Sequence, residues 1–244
     1  MNRKRKGDGY RLGPKFSEYL NMNVKMADAY CLGAAGGAVL LLTGHWLLMM
    51  LGMGAVCGCI FSAYVKLFSE TLYQKQACLF QSVPVSAFET ALVKTLAASL
   101  PLLFMTLIYV GGSILFLDSH SESGQALYQQ MVEQGFTEQN MAAGTVLNLI
   151  GLAIGPFGAS GIFLFAEAVG NRLRENRDKK PKRWAILLVV GLLIAGQQGI
   201  IWLIQWIPVL SAMAETALSL VFNILLAAGM LLVNTRALER WYSA

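Results

Sequence analysis

All 19 Lys and Arg residues of this 244-residue chain fall in four places, and long apolar stretches run between them. The other ends of those stretches carry no Lys or Arg at all. This pattern leaves few folds open. Apolar runs of roughly 20 residues suit a lipid bilayer, and basic residues gather on its cytosolic side. The chain is 56% hydrophobic and only 14% charged, against about 25% charged residues in an ordinary soluble domain. A net charge of +5 could suggest a nucleic-acid partner. Here the basic residues flank apolar runs instead of forming a basic domain, which excludes that class.

Four spans are clear: 91–117, 142–168, 184–207 and 214–234. As one helix the stretch 27–68 would be about 60 Å long, twice the hydrocarbon thickness. It reads as two helices, 27–43 and 46–68, turning at Gly44-His45. With six spans, the segments 1–26, 66–94, 169–183 and 235–244 share one side and hold seven, three, seven and two Lys or Arg. Five spans would put the basic amino terminus and the basic 172–183 loop on opposite sides. The charge rule therefore selects six spans, with both termini cytosolic. The expected fold is an all-α integral membrane protein, one transmembrane domain over 1–244.

The Arg3-Lys4-Arg5-Lys6 start resembles a signal n-region, but the first apolar run begins only near Met26 and leads directly into a second. Residues 1–26 read as an uncleaved cytosolic or interfacial segment. Within it, Phe16, Tyr19, Leu20 and Val24 keep helical spacing over 14–25, and Lys15 and Lys25 would face headgroups. An interfacial helix leading into the first span is expected. The outer loop 118–141 carries Asp118, Glu122, Glu133 and Glu138 and no basic residue, and 126–132 could form a short amphipathic helix. Cys57 and Cys59 would point about 200° apart on a helix and make a poor metal pair. Structural disulfides and metal sites are not expected among the four cysteines.

The second inner loop carries the chemistry-free but mechanically suggestive motif. It reads Leu79-Phe80-Gln81-Ser82-Val83-Pro84-Val85-Ser86, then Ala87-Phe88-Glu89 and on to Lys94. Pro84 disfavours helix at Val83 and suits a first turn. Ser82 can cap a helix opening at Val83 or Pro84. Alternatively Ser86 is the cap, with Glu89 completing a capping box. A helix descends, a short helix or turn lies across the inner face, and a helix returns.

That element, together with Tyr73, Lys94 and the six-span layout, resembles the permease subunits of ABC-2 type transporters. The chain departs from that pattern at Gln76-Ala77, where Gly-Tyr is common, and at Ala87-Phe88, where a basic residue is common. The resemblance implies a coupling helix docking in a separate cytosolic ATPase subunit, with Phe80, Gln81, Ser82, Val83, Pro84, Val85, Ser86, Phe88 and Glu89 as the coupling residues. It implies a second permease, the same chain or a related one, beside it in a bacterial plasma membrane. It also implies export of a peptide, drug or lipid-like substrate. The chain has no Gly-x-x-x-x-Gly-Lys-Ser/Thr loop, so ATP and magnesium are expected on the partner and no catalytic residue here.

Two other classes compete with that reading. Gly158-Ala159-Ser160-Gly161 matches the nucleophile motif of rhomboid intramembrane proteases, but His45 and His120 both lie outside the fifth and sixth spans, where a base for Ser160 is needed. Gly144, Gly151, Gly155, Gly158 and Gly161 read better as close-packing positions, with Pro156 kinking that helix. A non-transporting scaffold, immunity or signalling protein is the remaining alternative. Asp28, Glu70, Glu167 and Glu215 are expected at span ends. Gln197, Gln198, Gln205 and Asn223 would bond a neighbouring helix or line a path. Met49, Met50 and Met53 are expected to pack, and Trp202 and Trp206 to form an aromatic belt.

Overall fold

The computed structural model describes residues 15–43, 45–73, 85–119, 138–173, 183–205 and 212–241. Among them the regular structure is entirely helical. The helices are α1 (Phe16–Leu41), α2 (Trp46–Tyr64), α3 (Ala87–Ser119), α4 (Glu138–Arg172), α5 (Arg183–Gln205) and α6 (Ala212–Trp241). A π-helical segment, Val65–Glu70, and a last α turn, Thr71–Tyr73, continue α2. Among the described residues six stretches are long and apolar enough to cross a bilayer. The sequence reading of six spans therefore stands, and the chain is a multi-pass membrane protein.

The 27–68 stretch folds as the expected hairpin. α1 ends at Leu41 and α2 starts at Trp46, with Thr43 Oγ1 donating to Leu40 O at 2.8 Å in the turn. Two glycines let the backbones meet. A Cβ on Gly37 would lie 2.9 Å from Gly52 O, and one on Gly52 would lie 2.7 Å from Gly37 O. Any side chain at either place would hold the helices apart.

The amino-terminal segment differs from expectation. Among the described residues no separate helix precedes the first span, because α1 runs unbroken from Phe16. Tyr19 and Asn23, on the face of α1 that packs into the bundle, are both buried. The apolar spacing that suggested a surface helix belongs instead to the first turns of a packed one.

The bundle has two halves. In the first, α1 packs on both α2 and α3; in the second, α4 packs chiefly on α6, with α5 at the edge. Contacts of α3 with α4 and α6 join them. One core unites Ala27, Leu67, Phe68, Ala91, Ala98, Leu164 and Leu238. A second, formed by Ile162, Ala166, Val190 and Met230, seats α5 against α4 and α6. Both cores lie toward the end of the bundle that carries the Lys and Arg residues.

The opposite half of α2 meets little but α1. Met49, Met50 and Met53 are exposed there, so they do not pack inside the bundle as expected. The helix is apolar all round, and its neighbour covers only the Gly52 and Val56 side.

Candidate functional site

Buried polar groups concentrate at the basic end of the bundle. Among them is Lys94, a lysine on α3 with 0% exposure. The charge partition places it in the inner loop, yet α3 opens at Ala87, so Lys94 sits two turns inside the helix. Its Nζ donates to Asn23 Oδ1 on α1 and to Thr71 Oγ1 on the last turn of α2, both at 2.6 Å. The Tyr19 ring lies beneath it, with its centroid 5.8 Å away, within cation–π range.

Each partner is held in turn. Asn23 Nδ2 donates to Tyr19 O at 2.8 Å, which orients the amide so that its oxygen meets the lysine. Thr71 Oγ1 donates to Leu67 O at 2.6 Å and so offers a lone pair to Nζ. One ammonium thus ties three helices together. Hydrogen bonds to a charged group are the strong ones, about 1.5–3 kcal/mol each.

The π segment explains how Thr71 reaches this position. Tyr64 faces α4, where its hydroxyl and that of Ser160 are 3.3 Å apart and its ring stacks on Phe163 at 4.4 Å. In an unbroken α-helix, a residue seven positions later falls within about 20° of the same face. Thr71 would then point at α4. A π segment carries an extra residue, which turns the rest of the helix by roughly 100°. That rotation takes Thr71 off the α4 face and toward Lys94.

Of the expected coupling residues, Phe80, Gln81, Ser82, Val83 and Pro84 lie outside the described residues. Val85, Ser86 and Phe88 are half-buried at the entrance to α3, and Glu89 is buried. Of the two caps the sequence allows, Ser86 closes α3. Glu89 N–H donates to Ser86 Oγ at 3.2 Å, and Ser86 N–H donates to Glu89 Oε2 at 2.7 Å. Thr90 Oγ1 also donates to Ser86 O, at 3.0 Å. This reciprocal capping box fixes the start of α3. Five residues further along the same helix is Lys94.

The other charges sort by place. Lys66 and Glu70 form a half-exposed i,i+4 pair at 2.8 Å, the kind of pair that contributes little. Asp28 is exposed, and Glu215 is half-buried. Glu167 is instead buried, on the α4 face that also holds Ser160 and Asn171. Ser160 itself is 0% exposed and faces Tyr64, while His45 stands at the far end of α2.

The close-packing reading of the α4 glycines fails at Gly155, where a Cβ would meet nothing within 4 Å, and holds at Gly161. A Cβ there would lie 2.9 Å from Met230 Cβ, and Gly161 O accepts from Asn234 Nδ2 at 2.9 Å. Near the other end, Gln197 Nε2 donates to Asn223 Oδ1 at 3.3 Å and joins α5 to α6. Of the two roles open to these residues in the sequence, the interhelical bond is the one made.

Asn23, Thr71 and Tyr19 do not stand out in the sequence as functional residues. One signal points to them: Lys94 falls inside the 91–117 span, and a cation inside a span needs polar partners. No protein-family model, curated protein or solved structure matches this chain.

Proposed function

We propose that the chain is the membrane subunit of an ATP-driven ABC-2 type exporter. In this reading both termini are cytosolic in a bacterial plasma membrane, and the 74–86 loop engages a separate cytosolic ATPase that holds ATP and magnesium. A second permease completes the transport path. The substrate class is a peptide, a drug or a lipid-like molecule.

The observation that carries the reading is mechanical continuity at the basic end. The Ser86–Glu89 box makes the entrance to α3 a rigid lever. Lys94 then fastens that lever to α1 and to the last turn of α2. The same loop is flanked by Thr71–Tyr73 on one side and Ser86 on the other. A displacement delivered at Ser86 therefore reaches three helices through Lys94. The motif Leu79 to Ser86 and the six-span layout point the same way.

The test is purification of the intact chain in nanodiscs from its native host. A co-purifying ATPase whose turnover depends on the chain supports the proposal. Purification of the folded chain without an ATPase sinks it and favours a scaffold or signalling role.

A further inference from the structure

The lipid-facing edge formed by α5 and α6 ends in an unusual arrangement of charge. Leu225 and Leu232 are exposed on α6, and Arg236, also exposed, lies within about 40° of them around the helix. Arg240 is exposed one turn further along. The apolar stripe that greets acyl chains thus runs directly into two guanidinium groups.

Depth places them among headgroups. The span Met213–Arg240 has 28 residues, or about 42 Å of helix, matching a bilayer measured through both headgroup layers. The last turn, from Arg236 to Arg240, covers about 6 Å of that length. It therefore occupies the final headgroup layer. On the adjacent helix, Val190 shares a core with Met230. Six residues toward the basic end from each are Trp184 and Arg236, at matching depth. Trp184 is 63% exposed, as befits an interfacial indole.

Among the described residues no carboxylate pairs with Arg236 or Arg240. Glu239 lies on the neighbouring face and is also exposed.

We propose that this edge binds one anionic glycerophospholipid, its phosphate held by Arg236 and Arg240 and an acyl chain laid along Leu232 and Leu225. An anionic headgroup fits because two cations face it. A zwitterionic headgroup would add a third positive charge to the same layer. Free phosphate lacks the chain that the apolar stripe accepts.

The experiment uses the intact chain in a neutral detergent. Short-chain phosphatidylglycerol, short-chain phosphatidylcholine and inorganic phosphate are titrated separately, with thermal midpoint and native mass spectrometry as readouts. At about 1 kcal/mol per basic residue, phosphatidylglycerol is expected to bind roughly 30-fold tighter than phosphatidylcholine. The double variant R236Q/R240Q should lose that preference while keeping the wild-type midpoint in phosphatidylcholine. Lys25→Gln, a cation at the same end on α1, should keep the preference.

Equal retention of both lipids by the wild-type chain overturns the proposal. So does stabilisation by inorganic phosphate equal to that by phosphatidylglycerol, or an undiminished preference in the double variant. Should the double variant fold poorly, the wild-type lipid count alone decides. Loss of self-association without any change in lipid preference would assign the edge to a second copy of the chain and refute a lipid site.

Discussion

Removing Asn23, one of the two neutral partners of Lys94, should harm the fold more than removing Lys94 itself. Lys94→Met keeps most of the stem's volume and deletes Nζ. It gives up two hydrogen bonds of 2.6 Å, worth roughly 3–6 kcal/mol together. It also removes a buried cation, whose desolvation costs several kcal/mol, so these two contributions largely offset each other. What remains is Asn23 Oδ1, stripped of the Lys94 donor at a cost of about 1–3 kcal/mol. Thr71 suffers less, because its hydroxyl still donates to Leu67 O. The expected net loss is therefore about 1–3 kcal/mol.

Asn23→Leu instead leaves the ammonium in place with one acceptor fewer, and breaking a buried charged contact from one side costs about 3–5 kcal/mol. It also deletes the amide bond to Tyr19 O. The double variant N23L/K94M should cost less than the sum of the singles, with a coupling of about 1–3 kcal/mol. Equilibrium unfolding in mixed micelles, monitored by helical circular dichroism, measures all four chains. A greater loss in Lys94→Met than in Asn23→Leu would refute this ordering. Costs that add to within about 0.5 kcal/mol would equally refute the coupling.

Other predictions share that assay. Gly52→Ala forces a methyl against the Gly37 carbonyl and should cost about 1–3 kcal/mol. Gly54→Ala, with nothing within 4 Å, should instead stabilise by roughly 0.5–1 kcal/mol; a matching loss at both positions would contradict the close crossing of α1 and α2. Ser86→Ala should destabilise by about 0.5–2 kcal/mol through loss of the cap, and an unchanged unfolding midpoint would argue against the box. Gly161→Leu should disrupt the α4–α6 contact at Met230 by more than any change at Gly155, which faces open space.

The number of helices and the tight first hairpin were legible because bilayer thickness and charge placement are long-range constraints written directly in composition. The Ser86–Glu89 cap was legible as one of two alternatives, since a capping box needs only local spacing. Tyr19 and Asn23 were not. Their helical spacing fits a surface helix as well as a packed one, and only the position of α3 distinguishes the two.

The burial of Lys94 was hidden for a related reason. A lysine near a span end satisfies a charge count whether it faces water or Asn23. The π segment left no sequence trace, because an extra residue in a turn changes direction without changing composition. Glu89, expected as a coupling residue, is instead taken up by the cap. With Glu89 buried in the cap, reversing its charge disturbs the start of α3 itself. A probe of the loop's contact with a partner belongs instead at Pro84.

In the proposed function the loop between α2 and α3 passes force from an ATPase into the bundle. The most direct measurement is ATP turnover and transport in nanodisc-derived vesicles holding the chain and its co-purified ATPase, compared with the same complex carrying Pro84→Gly. The variant is expected to insert and bind the ATPase while transport falls away and hydrolysis continues. Transport at the wild-type rate in Pro84→Gly would contradict it.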